Sequence, residues 1–334
     1  MNKKKLNVTA IIFGLSTISF NAYSDHPSVA FGLESAGPIN TISATPAPLG
    51  TIALGLRAEV INNDRFSTEQ LVQFGATGQE GIHSVDRITS TSLSAAYGLS
   101  NDLTLSARLP YIERKNIRES ETHDDEGEAH SHGNSSGFGD ALLLANYRFY
   151  QADDLDISLL LGIKAPTGDT QVKDKNGERF ETEFQPGTGA WDYLLGVALS
   201  QSYGPLAYHA NMLYSETTEG SQHTEIGSSL SYNAAVTYRL QTHDHGSHQH
   251  TDDPLELKWD LSFEANGITR RENRLQGHLE DNSGGSTLFI SPGIKVSANG
   301  FGGFISFSVP VIQRQKGQQT DIDNRIVAGI SITL

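Results

Sequence analysis

Apolar and polar residues alternate with period two along most of the chain, which predicts β-strands with two chemically different faces. Segment 226–240 shows it best. Ile226, Leu230, Tyr232, Ala234, Val236, Tyr238 and Leu240 share one face, and Gly227, Ser229, Ser231, Asn233, Ala235, Thr237 and Arg239 share the other. Over 255–266, Leu255, Leu257, Trp259, Leu261, Phe263 and Ala265 alternate with Glu256, Lys258, Asp260, Ser262, Glu264 and Asn266. Twelve such segments are predicted, at 51–60, 87–99, 102–114, 138–150, 155–166, 190–201, 206–216, 226–240, 255–268, 286–297, 301–313 and 324–334. Each is close to the roughly 9–11 residues of a tilted membrane-spanning strand.

The links between segments also alternate. Those at 100–101, 151–154, 202–205 and 298–300 are tight, whereas 61–86, 115–137, 167–189, 217–225, 269–285 and 314–323 are long and polar. This predicts an all-β fold, a transmembrane antiparallel β-barrel of about 12 strands with short periplasmic turns and long extracellular loops. The apolar faces must point outward. Inverted, the 255–266 strand would carry four charges into lipid, where an Arg or Lys at the midplane costs roughly 2–4 kcal/mol. A soluble β protein would show the same alternation, but it has no need of the Tyr97, Tyr111, Tyr147, Trp191, Tyr193, Tyr214 and Trp259 rings that sit near strand ends and suit an interfacial girdle.

Composition agrees with this picture. Only 37% of residues are hydrophobic, low for a chain of 334 residues with a large internal core. A barrel resolves this by facing lipid with its apolar residues and keeping a polar interior. Lys3, Lys4 and Lys5 precede an apolar stretch from Val8 to Phe20, and Ala22-Tyr23-Ser24 ends in small residues at −3 and −1. Residues 1–24 are therefore read as a secretory signal peptide cleaved near Ser24, delivering the chain to a Gram-negative outer membrane with lipids as its surroundings. Residues 25–49 form an N-terminal segment, either a periplasmic lead or a lumen plug, and 50–334 form the barrel. Loss of the three leader lysines takes the formal charge from −15 to −18, which excludes nucleic-acid binding by bulk electrostatics. The absence of cysteine excludes disulfides, thiolate metal sites and Cys nucleophiles.

Several Gly-rich stretches resemble the outer-membrane transporter family named after the meta-pathway of phenol degradation. They are Ala36-Gly37-Pro38-Ile39-Asn40-Thr41, Gly137-Phe138-Gly139-Asp140 leading into Asn146-Tyr147-Arg148-Phe149, Lys164-Ala165-Pro166-Thr167-Gly168-Asp169, and Gln185-Pro186-Gly187-Thr188-Gly189 running into Trp191-Asp192-Tyr193-Leu194-Leu195-Gly196. The resemblance implies passage of small molecules, aromatic or otherwise hydrophobic, and brings no binding residues with it.

Two histidine-rich links carry candidate chemistry. His123, His130 and His132 lie in the second outer link, and His243, His245, His248 and His250 lie between strands eight and nine, on the periplasmic side. Neutral imidazole with carboxylates suits zinc, copper or nickel, and His-X-His spacing lets two rings converge on one ion. No fixed tetrahedral set is visible, so weak binding of divalent metal ions is expected and no cofactor is required. The inward parity assigns Arg57, Glu59, Arg108, Asp140, Arg148, Lys164, Asp192, His209, Arg239, Lys258, Asp260, Glu264 and Lys295 to the lumen, where they either pair across a filled interior or line a pathway. Twelve strands lie between the roughly eight that give a filled barrel and the sixteen of an aqueous pore, favouring a narrow, gated or plugged route.

An enzyme is not expected. His209 with Ser215, and His83 with Ser84 and Asp86, are the available hydrolase groupings, and neither falls in a nucleophile motif. The expected function is passive passage of small molecules, hydrophobic compounds or divalent metal ions. The alternative is a metal-binding or structural barrel without an open channel.

Overall fold

A membrane strand must satisfy its backbone by pairing on both sides, so a span made of strands has to close on itself. The chain does this. The computed structural model describes residues 37–124, 126–240 and 257–334. Its strands, in chain order, are β1 (Ile52–Asp64), β2 (His83–Ser84), β3 (Arg87–Gly98), β4 (Leu103–His123), β5 (Glu126–Phe138), β6 (Ala141–Ala152), β7 (Leu155–Ala165), β8 (Asp192–Tyr203), β9 (Leu206–Glu216), β10 (Thr224–Glu225), β11 (Ser229–Leu240), β12 (Lys258–Arg270), β13 (Arg274–Leu275), β14 (His278–Leu279), β15 (Gly285–Ala298), β16 (Phe301–Gln315) and β17 (Asp321–Thr333). Twelve of them, β1, β3, β4, β6 to β9, β11, β12 and β15 to β17, form a closed antiparallel barrel. Closure runs through β1 and β17, with Leu54 opposite Ile332 and Val60 opposite Ile326. All twelve predicted segments are barrel strands. The predicted signal peptide and the four histidines from His243 to His250 fall outside the described residues.

The outer wall carries exposed Leu54, Leu93, Leu143, Leu195, Phe263 and Ile330, with Tyr97, Tyr147, Trp191, Tyr193 and Trp259 also exposed. The tight Asn299-Gly300 turn has both central residues in the left-handed region, at φ 47° and 82°. That is the primed turn whose twist matches two antiparallel strands, and Asn-Gly is its strongest sequence signal.

The long links hold structure that the apolar periodicity does not reveal: β10, β13 and β14 form a small separate sheet, and two other links are more elaborate. The 115–137 link is a β-hairpin. β4 runs on past its pairing with β6 and turns at Asp124, and β5 returns along it with Glu119 opposite His130. Beyond the membrane both faces of this ribbon meet water or loops, so hydrophobic alternation is lost while the backbone ladder persists. The 61–86 link contains helix α1 (Thr68–Ala76), opened by a capping box. Ser67 Oγ accepts the Gln70 N–H at 3.2 Å, and the Gln70 side chain accepts the Ser67 N–H at 2.8 Å.

The interior is less uniformly polar than expected. Ile42, Leu142, Leu144, Leu160, Leu194 and Leu213 form an apolar patch inside β6 to β9. Under the extracellular loops, Ile61, Ile88, Ile112, Ile117, Phe180, Phe184 and Phe289 pack as a second cluster.

Candidate transport pathway

Residues 37–49 run inside the barrel, mostly buried. Their exposed backbone groups need partners, because a buried unpaired N–H is costly, and the inner wall supplies them. Glu264 on β12 accepts the N–H of Ile39 at 2.7 Å, that of Asn40 at 3.1 and 3.0 Å, and the Thr41 hydroxyl at 2.7 Å. Arg57 on β1 donates to the Ile39 carbonyl at 2.9 Å and to Asn40 Oδ1 at 2.8 Å. Further along, Asn211 accepts the Ile42 N–H at 2.9 Å, Ser200 Oγ the Ala44 N–H at 2.8 Å, and Thr104 Oγ1 the Ala47 N–H at 2.7 Å. The segment therefore descends from mid-barrel to the periplasmic end.

Two lumen cavities meet this segment. The outer one, about 200 Å³, touches Asn40, and the inner one, about 480 Å³, touches Thr41 and Ile42. The outer cavity is walled by Ile112, Leu142, Leu194, Leu213 and Phe289. It also meets five basic side chains (Arg108, Arg114, Lys164, Arg270, Arg325) and three acidic ones (Asp140, Glu183, Asp192).

Of the predicted lumen residues, His209 lines the inner cavity, and the others divide into three groups. Arg57, Glu59, Glu264 and Lys295 form a buried belt at the level of Ile39 and Asn40. Arg325, which the sequence reading did not single out, joins it: its guanidinium lies 3.7 Å from Glu59 and 4.4 Å from the Phe289 ring centroid. The second group sits on the outer side. Lys164 Nζ lies 2.7 Å from Asp192 and 3.2 Å from Asp140, and Arg108 lines the same cavity. The third group lies toward the periplasm. Arg239 pairs bidentately with Asp260 at 2.8 and 2.9 Å, Arg148 meets Asp102 and Asp156 at 2.8 and 3.1 Å, and Lys258 is exposed at the start of β12. Arg114 and Arg270, also missed, lie on the same inner parity, Arg114 at the edge of the predicted 102–114 segment and Arg270 just beyond the predicted 255–268 segment.

Asp140 is the hub that folds the 166–191 loop over the outer cavity. Its carboxylate accepts the N–H of Gly168 at 3.0 Å and, at 2.9 Å each, the N–H and hydroxyl of Thr188. Asp169 completes the joint by accepting the Phe138 N–H at 2.8 Å. Gly168 and Gly187 touch backbone to backbone: a Cβ on Gly187 would stand 2.6 Å from Gly168 Cα. Three of the four Gly-rich motifs noted in the sequence thus converge on one joint.

Neither hydrolase grouping is assembled. His209 Nδ1 meets Ser200 Oγ at 2.8 Å, and Ser215 lies six residues along the same strand, roughly 20 Å away at the usual rise. The His83 ring faces carboxylates: Glu119 at 3.5 Å, Glu183 at 3.6 Å and Glu181 at 3.7 Å. Ser84 instead accepts from Phe66 N, and Asp86 pairs with Arg65 and Arg118.

The extracellular histidines also separate. The His130 and His132 ring centroids lie 4.8 Å apart at a tilt of 56° with Glu121 beside them, whereas His123 is exposed at the hairpin tip against Asp124. The expected trio of His123, His130 and His132 is therefore not brought together. Burial works against charge on His83, but its hydrogen bond to Glu119 and the Glu183 and Glu181 carboxylates outweigh it and push the pKa up to about 9. Burial likewise opposes charge on Glu119, yet its hydrogen bonds with His132 and His83 hold it well below the usual carboxylate range. The Glu119 hydrogen bond raises His132 above its ordinary value.

Among solved structures, the chain is similar to the COG4313 outer membrane channel from Pseudomonas putida F1, with a TM-score of 0.59 at 14% identity over 87% of this chain and 98% of that one. It is more distantly similar to the NanC porin (TM-score 0.44, 12% identity, 84% and 100% covered) and to the translocator domain of the autotransporter NalP from Neisseria meningitidis (TM-score 0.44, 11% identity, 85% and 88% covered). The first of these likenesses shows the fold of an outer-membrane barrel. No curated protein sequence matches the chain. The model of the family described as "Putative MetA-pathway of phenol degradation" matches residues 62–317, more than half of the sequence, and the chain belongs to that family.

Proposed function

We propose that the protein is a passive outer-membrane channel for small organic molecules, gated by residues 37–49. One observation carries this reading: two lumen cavities meet the N-terminal segment, the outer at Asn40 and the inner at Thr41 and Ile42, where it is held on Glu264. A barrel serving only as a surface platform has no need of a vestibule on each side of a segment that is held across the lumen only by side-chain hydrogen bonds from the wall. Transport would run down a gradient, because the chain carries no nucleotide-binding motif.

The outer cavity favours a solute class. Its apolar wall suits a ring or short hydrocarbon, and five basic groups against three acidic ones suit a carboxylate or phenolate on that ring. Arg325 over Phe289 presents a cation and an aromatic face together. An aromatic acid is the best-fitting solute on these grounds, and the family name points the same way.

The test is planar-bilayer conductance together with benzoate uptake into proteoliposomes, comparing the full chain with a variant lacking residues 25–49. Low conductance in the full chain and a higher, benzoate-permeable state in the deletion are expected. A deletion variant that never conducts would overturn the channel reading.

A further inference from the structure

The β4–β5 hairpin projects beyond the barrel, and one of its faces brings Glu119, Glu121, His130 and His132 together, with Glu128 opposite Glu121 and His123 opposite Glu126 nearer the tip. Residues two apart on a strand share a face. Glu119 and Glu121 are such a pair on β4, His130 and His132 are such a pair on β5, and Glu119 stands directly opposite His130. The donor atoms of Glu121, His130 and His132 lie within 4.8 Å of one another. Glu119 Oε2 lies 2.9 Å from His132 Nε2, and Glu121 Oε2 lies 3.8 Å from His130 Nδ1.

We propose that this face binds one zinc-class divalent ion through Glu119, Glu121, His130 and His132, with Asp174 as the residue that orients His132. Zinc bonds of about 2.0–2.1 Å in a tetrahedron set ligand atoms about 3.4 Å apart. The present spacings of 2.9, 3.8 and up to 4.8 Å bracket that value, so side-chain rotation closes the site on the two-stranded ribbon. Two imidazoles and two carboxylates are a borderline donor set that suits zinc over magnesium or calcium.

The surroundings are built for the purpose. Asp174 Oδ2 lies 3.4 Å from His132 Nδ1, which leaves Nε2 turned to the cluster. Such a carboxylate behind a ligating histidine fixes its tautomer and raises its basicity. The Asp174 side chain is itself 1% exposed and accepts the N–H groups of Asn176 and Glu178 at 2.8 and 2.9 Å. It belongs to the 166–191 loop, so an ion here would tie the hairpin to the loop that covers the outer cavity. The neighbouring grouping of His83 with Glu181 and Glu183 offers only one imidazole, and its ring packs on Phe184.

The experiment uses the full chain with His243, His245, His248 and His250 all changed to alanine, so that the periplasmic histidines do not contribute. Zinc chloride is titrated calorimetrically, and cobalt(II) is added separately to read its visible spectrum. One ion per chain at micromolar affinity or tighter, with the intense bands of tetrahedral cobalt, is expected. His132→Ala should weaken binding at least a hundredfold, and Glu121→Gln and Asp174→Asn about tenfold to a hundredfold. His123→Ala should leave it unchanged. Heat-modifiable gel mobility checks that each barrel is intact, and Glu121→Gln keeps the hairpin's shape. A parent that takes up no zinc, or His132→Ala and Glu121→Gln variants that titrate like the parent, would overturn the site.

Discussion

Both carboxylate oxygens of Glu264 accept the backbone N–H of Asn40, at 3.1 and 3.0 Å, across 224 residues of sequence. The same carboxylate also takes the Ile39 N–H and the Thr41 hydroxyl. Hydrogen bonds to a charged acceptor contribute about 1.5–3 kcal/mol each. Glu264→Ala removes the acceptor for all three donors while leaving the strands of the wall in place. The lumen strand should then leave its seat for a measurable fraction of the time. The expected result is a several-fold rise in single-channel conductance toward that of the variant lacking residues 25–49. If Glu264→Ala stays as closed as the parent while the deletion opens, Glu264 is not what holds the partition.

Gly168 and Gly187 fix the loop above the outer cavity by direct backbone contact. In Gly187→Ala the new methyl would meet Gly168 Cα at 2.6 Å and Asp140 Oδ1 at 2.9 Å, so one of the two segments must move. Overpacking of this kind costs about 1–3 kcal/mol. The barrel should remain folded, while amide exchange in 166–191 accelerates and benzoate uptake changes. Unaltered exchange in that loop would show that the joint has slack.

Phe184 anchors the same loop from the other side. It is buried, and its ring centroid lies 4.6 Å from that of His83. Its carbonyl accepts the Ser135 hydroxyl at 2.6 Å. Phe184→Ala leaves a cavity among Ile61, Ile88, Ile112 and Ile117 and should cost about 3–5 kcal/mol of local stability. Faster extracellular proteolysis of the loop with an unchanged barrel melting transition is the expected readout. A loop as resistant as the parent's would show that Phe184 is not its anchor.

The barrel was legible because lipid enforces a strict rule on every strand: Leu257, Trp259, Leu261 and Phe263 cannot exchange faces with Lys258, Asp260 and Glu264. Where that rule lapses, legibility lapsed with it. The β4–β5 ribbon is polar on both faces, so His130 and His132 looked like part of a loop with His123, and their cross-strand carboxylates went unnoticed. Helix α1 left a readable mark in Ser67 and Gln70, spaced as a capping box, but its short amphipathic run is hidden inside a polar link. The contact of Glu264 with Asn40 has no local signature at all. Parity could place Glu264 inside the barrel, yet nothing within its own strand indicates which segment it holds.

Lys164 ties the outer side of the pathway together electrostatically. It stands 2.7 Å from Asp192, 3.2 Å from Asp140 and 2.7 Å from the Thr188 hydroxyl. Lys164→Met keeps much of the side-chain length and removes the charge, leaving two inward carboxylates without that cation. Breaking a buried pair from one side costs about 3–5 kcal/mol, less where lumen water reaches the site. The cavity's balance then moves from five basic and three acidic groups to four and three. Cation permeability should rise relative to anion permeability, read as a shift of reversal potential in a salt gradient, and benzoate uptake should fall. Lys164→Arg should retain the parental selectivity. If Lys164→Met and the parent reverse at the same potential, the solute does not pass Lys164, and its pairs serve only to hold the loop to the wall.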